Sequence, residues 1–235
     1  ALRGRAITAC FLEGHGELPM DNFEYHTHLE SGAGHSHDDA SSQVVEMPGH
    51  GVGRLRRALE AQGYEARKVV LDLLPEGAEV GQGASTTLEQ IGVTHELEES
   101  GRFDSVRKHT RSMDRTTPEG LRAMRKLGVG PDWYVNSAHA VTYDGTIVDV
   151  SNTGSQLAPL AFGAGEVIFV IGSQKLVPDL ETAMRRIEEH TLPLENQRMQ
   201  GLYGIDSEIK KVLIIHKEFR PSRFTVVLIK EPVGF

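Results

Sequence analysis

Apolar residues in this chain fall into short runs, and segments with a helical repeat separate them. The clearest run is residues 167–171 (VIFVI), continuously apolar and bounded by glycine, as expected of a strand buried on both faces. Residues 5–12 (RAITACFL), 64–71, 78–81, 132–137 (DWYVNS), 212–216 and 224–229 read as further strands. Val141-Thr142-Tyr143 and Thr146-Ile147-Val148 flank Asp144-Gly145, a hairpin signal whose two turn residues both favour positive φ.

Residues 51–62 (GVGRLRRALEAQ) place Val52, Leu55, Ala58 and Leu59 on one helical face, with Gly63 as the stop. Thr86 with Glu89 fits a capping box, and residues 94–100 read as helix. Thr116-Thr117-Pro118-Glu119 opens a helix that buries Leu121, Met124 and Leu127 and stops at Gly128. Residues 157–163 form a short helix, and Asp179 caps another through His190, with Leu180, Ala183, Met184 and Ile187 inward. Residues 103–109 fit either element. Strands alternating with helices, plus one hairpin, predict an α/β domain: a mixed, mostly parallel sheet with helices on both faces.

The polar stretches between these elements carry the candidate chemistry. Gly81 and Gly83 let the backbone approach a ligand, and Ser85 and Thr86 add hydroxyls at the start of a helix. Residues 151–156 (SNTGSQ) open the next helix with Asn152, Thr153, Gly154, Ser155 and Gln156, a composition that suits an anion and equally an ordinary cap. Lys175 follows the buried strand, where open α/β sheets place ligands, and its ammonium suits a carboxylate or phosphate. Ser137 and His139 lie two apart, so in a strand they share a face. No nucleophile elbow precedes Ser137 and no orienting carboxylate is identifiable, so pocket lining is the better reading. Asp149 lies in the strand that enters the polar loop and is, like His139, a candidate catalytic residue, as a base. Asp144 is turn chemistry, and Arg198 reads as an exposed helix arginine. The glycine spacing matches neither a dinucleotide fingerprint nor a phosphate-binding loop of the Walker type, so neither NAD nor ATP is inferred.

Composition narrows this further. The chain has 235 residues with 39% hydrophobic and 25% charged, an ordinary globular balance. A formal net charge of −8 argues against nucleic acid or an anionic membrane as the main partner. No apolar run is long enough to span a bilayer, and no signal peptide opens the sequence. Cys10 is the only cysteine, which excludes an internal disulfide and suits a reducing, cytoplasmic compartment. One thiolate cannot hold a four-cysteine iron–sulfur cluster. Residues 13–49 lack periodicity and contain His26, His28, His35 and His37 followed by Asp38 and Asp39, with His15 and His50 at the flanks. They form a candidate divalent-metal site (Zn²⁺ or Ni²⁺), or a solvated histidine tract.

Three stretches resemble the lactate-utilization (LUD) domain family: LPEGAEVGQGASTTLEQIG, residues 137–187 from SAHAVTYDG to ETAMRRI, and the closing KVLIIHKEFRPSRFTVVLIKEPVGF. The resemblance covers about residues 74–235. It implies a fold similar to the glucosamine-6-phosphate isomerase, ribose-5-phosphate isomerase and CoA-transferase superfamily. It also implies a role in converting lactate or a related 2-hydroxy acid beside iron–sulfur and flavin oxidoreductase partners. The site it implies comprises Gly81, Gly83, Ser85, Thr86, Ser137, Asn152, Thr153, Gly154, Ser155, Gln156 and Lys175, closed around a small anion. CoA-transferase relatives use a glutamate nucleophile that has no counterpart here. Residues 1–73 instead resemble the auxiliary domain of gliding-motility and ABC-transporter accessory proteins, through FLEGHGELP and PGHGVGRLRRALEAQGYEARKVVLDL. They read as a strand-loop-helix-strand segment, separate or added to the same sheet, without the longer helix expected ahead of LPEGAEVG. A catalytic subunit, a non-catalytic assembly subunit of that oxidoreductase, a homo-oligomer and a metal-binding protein all stay open at this point.

Overall fold

The computed structural model describes residues 43–45, 58–61 and 63–235. In chain order the strands are β1 (Gln43–Val45), β2 (Ala58–Ala61), β3 (Glu79–Gln82), β4 (Asp104–Ser105), β5 (Trp133–Asn136), β6 (Ala140–Thr142), β7 (Ile147–Ser151), β8 (Glu166–Gly172), β9 (Leu176–Val177), β10 (Lys211–Ile215) and β11 (Phe224–Ile229). The helices are α1 (Gly63–Leu73), α2 (Thr86–Gln90), α3 (Val93–Glu99), α4 (Val106–Ser112), α5 (Pro118–Val129), α6 (Leu180–Arg186) and α7 (Leu192–Tyr203).

Seven strands form one sheet in the order β1-β2-β11-β8-β5-β3-β4, parallel except for β1. The VIFVI strand β8 lies between β11 and β5, as its unbroken apolar run requires. Ile168 and Val170 face one side, where α1, α2 and α3 cover them with Ala66, Val70, Leu88 and Leu97. Val167, Phe169 and Ile171 face the other side. There Phe169 meets Phe224 edge-to-face at 5.3 Å between ring centroids, beneath a helical turn that contributes Leu160.

A second sheet of four strands, β10-β7-β6-β9, shares that side with the helices. Val141 and Ile147 pack down onto the first sheet, while Ala140, Val148 and Val177 pack up against Ala183 and Ile187. The hairpin β6–β7 forms as expected, but its turn differs. Only Gly145 takes positive φ (89°), and Gly145 N–H bonds Thr142 O at 2.9 Å. Thr142 N–H bonds Thr146 O at 2.9 Å, so the loop has three residues ending in a left-handed glycine.

Two N-terminal elements differ from their expected type. Residues 58–61, expected as the end of a helix, are strand β2, held by parallel pairing with β11. Residues 64–71, expected as a strand, lie in α1, whose Ala66 and Val70, with Leu74 just past its end, recur every fourth residue on the buried side. An eleven-residue helix thus stands directly ahead of LPEGAEVG. Residues 5–12 and the histidine tract His26, His28, His35 and His37 lie outside the described residues.

Helix caps follow the sequence with small shifts. Ser85, not Thr86, caps α2 by accepting from Leu88 N–H at 3.4 Å. Thr117 caps α5, accepting from Gly120 N–H at 3.1 Å, with Pro118 at the first helical position. Thr117→Ala is expected to cost about 1 kcal/mol in urea unfolding, and Thr117→Asp to restore most of it. Helix α5 runs one residue past Gly128, and Leu121, Met124 and Leu127 are half-buried rather than buried, with Met124 lining a cleft. The helix capped by Asp179 does not stop at His190; a π-helical turn, Ile187–Thr191, carries it into α7 and accommodates Pro193. No described helix is long and apolar enough to cross a membrane.

Candidate functional site

The C-terminal ends of β3, β5 and β8 open onto a cleft of about 830 Å³, walled on the far side by the end of β7 and its following loop. Parallel sheets bind ligands at this edge, because successive loops converge there and leave backbone groups unpaired. All eleven residues of the anion site expected from sequence line the cleft, as do His139 and Asp149. Sequence separations as large as the one between Gly83 and Lys175 are closed by the parallel neighbours β3, β5 and β8.

Lys175 is the central group. The 3₁₀ turn Ser173–Lys175 after β8 turns its side chain inward, leaving it 4% exposed. Its ammonium donates to Ser137 Oγ at 2.9 Å and to Thr87 Oγ1 at 3.0 Å. Burial, and after it the Arg186 guanidinium, push the ammonium down to about 7, against the pull of the Asp149 carboxylate. Arg186 also bonds the carbonyls of Gln174 (3.1 Å) and His139 (2.8 Å), so one side chain fixes the two segments that carry Lys175 and His139.

Asp149 is fully buried on β7. Its Oδ2 accepts from Asn136 Nδ2 at 2.9 Å, and its Oδ1 lies 2.5 Å from His139 Nδ1. That approach lacks hydrogen-bond geometry, and Oδ1 has no hydrogen-bond partner among the described residues. Val150 N–H also approaches Nδ1, at 3.2 Å. The ring nitrogen that faces the carboxylate is thus the one that accepts the Val150 amide. Asp149 is the carboxylate that stands beside His139, a neighbour not identified in the sequence because the hairpin turn separates the two. Ser137 pairs with Lys175 rather than with His139, so the two do not form a nucleophile–base pair.

Other expectations change in detail. Gly81 and Gly83 make room for the protein's own side chains: a Cβ at Gly81 would meet Tyr134 Cδ2 at 2.8 Å, and one at Gly83 would collide with the Asn136 amide. The 151–156 loop spends much of its polar capacity on itself. Ser151 Oγ takes Gly154 N–H at 2.8 Å, Gln156 bonds Ser151 and the Val150 carbonyl, and Ser155 N–H bonds Thr153 Oγ1 at 3.3 Å. Gly154 itself sits at φ 89°, where a side chain is strained. Arg198 is half-buried at the cleft wall, paired through two bonds of 2.7 and 2.8 Å with Glu195. Thr87 and Asn136 carry no motif and stand out only in three dimensions. Among the described residues no group of three or more histidine, cysteine, aspartate or glutamate side chains could hold a metal ion.

The LUD domain family profile matches residues 57–229, a span that begins at β2 and includes α1. No curated protein matches the sequence. Among solved structures, a DUF162 family protein from Deinococcus radiodurans aligns with 10% identity and a TM-score of 0.44, covering 73% of this chain and 86% of that one. Ribose 5-phosphate isomerase A from Neisseria gonorrhoeae aligns with 14% identity and a TM-score of 0.32, over 67% of this chain and 75% of that one. Ribose 5-phosphate isomerase from Plasmodium falciparum gives 14% and 0.32, over 68% and 79%. These likenesses are distant and lend the cleft no assignment.

Proposed function

This chain belongs to the LUD domain family, and on that premise we propose that it binds a small 2-hydroxy or 2-oxo carboxylate in lactate utilization. The observation that supports this most directly is the buried Lys175 ammonium, held by Ser137 and Thr87 at the C-terminal end of β8 in the same cleft as His139 and Asp149. An ammonium in a low-dielectric site attracts a carboxylate strongly. The imidazole of His139, beside Asp149, takes or returns the proton of the ligand's hydroxyl. Electron transfer belongs to an iron–sulfur or flavin partner, since one cysteine cannot ligate a four-cysteine cluster.

Calorimetric titration with L-lactate and pyruvate tests this reading. Both are expected to bind, and Gly154→Val, which forces a branched side chain into the left-handed region and against Lys211, is expected to weaken them about tenfold with the fold retained by circular dichroism. Absence of binding by either acid to the wild-type chain refutes the reading. Unchanged affinity in the variant removes the 151–156 loop from the site.

A further inference from the structure

Three buried polar atoms of residues that line the cleft have no hydrogen-bond partner among the described residues: Gln82 Oε1, Thr86 Oγ1 and Arg107 Nη1. Gln82 is 8% exposed, and its Nε2 donates to Glu98 Oε1 at 2.8 Å, which turns Oε1 away as a free acceptor. Arg107 Nε meets the same Glu98 oxygen at 3.4 Å, so the unpaired donor of Arg107 and the unpaired acceptor of Gln82 share one neighbourhood. Buried groups of this kind cost stability unless something pairs with them. Gln82 and Arg107 come from β3 and α4, which pack against each other, and Thr86 opens α2.

The electrostatic setting matches. Between residues 106 and 129 there are seven lysines and arginines against two acidic residues, in a chain whose net charge is −8. From this basic hairpin of α4 and α5, Arg107, Arg115 and Arg125 line the cleft. A volume of about 830 Å³ also exceeds what a three-carbon acid fills and falls in the range of larger metabolites.

We propose that the Arg107 side of the cleft is a second subsite, and that the ligand is a hydroxylated organic phosphate with an acid head at Lys175. Its phosphate lies against the arginines of α4 and α5, and a hydroxyl donates to Gln82 Oε1. This inference rests on the carboxylate-binding reading above and names the class of molecule that satisfies it. Arginine supplies the planar, multiply donating contact that a phosphate takes best.

Calorimetry with D-glycerate, D-3-phosphoglycerate and inorganic phosphate at equal ionic strength tests it. The phosphorylated acid is expected to bind at least about tenfold tighter than glycerate. Arg107→Met and, independently, the exposed Arg125→Gln are each expected to reduce that gain while leaving glycerate affinity unchanged; Arg125→Gln does not disturb the buried Glu98 cluster. Equal affinity for the two acids, or a gain that survives both substitutions, overturns this inference and leaves the carboxylate site standing. Inorganic phosphate matching 3-phosphoglycerate reveals a site for the ion alone and overturns it too. Failure of both acids to bind removes the underlying reading along with the inference.

Discussion

Lys175→Met is expected to abolish carboxylate binding and to flatten the alkaline dependence of stability. The ammonium is lowered to about 7 in the folded chain from an ordinary value of 10.5. The unfolded chain therefore holds one more proton than the folded chain between those two values. Stability rises with pH across that window, by up to about 1.4 kcal/mol per unit, and is level below about 7 and above about 10.5. Methionine fills the same space without a charge, so the variant should lose the slope and be the more stable protein near neutrality. Ligand binding moves in the opposite direction. A carboxylate needs the charged amine, so wild-type affinity should fall by up to about tenfold per unit as pH rises above about 7. Urea unfolding and calorimetry at pH 6, 8 and 9.5 check both arms. A wild-type stability that does not change across that range, or a slope kept by the variant, would show that Lys175 is charged and well solvated in the fold.

The largest loss of stability is expected from Arg223→Ala. This guanidinium is 6% exposed and donates to the carbonyls of Pro159 (2.7 Å), Leu160 (3.1 Å) and Ala164 (3.0 Å). It also pairs with Glu218 at 2.6 Å and stacks 4.9 Å over the Phe224 ring. The π-helical turn Pro159–Gly163 therefore has its carbonyls closed by a side chain from the segment before β11. Truncation leaves Glu218, still bonded by Arg220 N–H, nearly buried without its guanidinium and strips a donor from the three carbonyls, of which Pro159 O keeps Ala164 N–H, at a cost of about 3–5 kcal/mol. Arg223→Lys is expected to recover only part of this, because an ammonium cannot fork to several acceptors at once. Since the turn continues directly from the 151–156 loop, the weakened fold should also bind ligand less well. A loss under about 1 kcal/mol in urea unfolding would place the turn's stability in its packing through Leu160 instead.

Much of the architecture was legible along the chain because its signals are local. The β8 run, the Asp-Gly hairpin, the Thr117-Pro118 cap and the Asp179 cap each depend on a few adjacent residues, and each forms where the pattern puts it. The polar loops at strand ends also announced themselves, because serine, threonine and glycine cluster where backbone groups lack regular partners. What tertiary structure decided is of another kind. ALEA at residues 58–61 has the composition of a helix, yet it is a strand because β11 offers a parallel edge to pair with. The 64–71 segment mixes branched and polar residues, and only packing onto the sheet makes its fourfold spacing count. The site itself is the clearest case. Lys175 becomes unusual by being buried beside Thr87 and Ser137, and Asp149 becomes the partner of His139 through a hairpin fold. Desolvation and pairing across distant residues leave no mark on composition or spacing, so the sequence determined which loops meet, and the fold determined which of their groups carry altered chemistry.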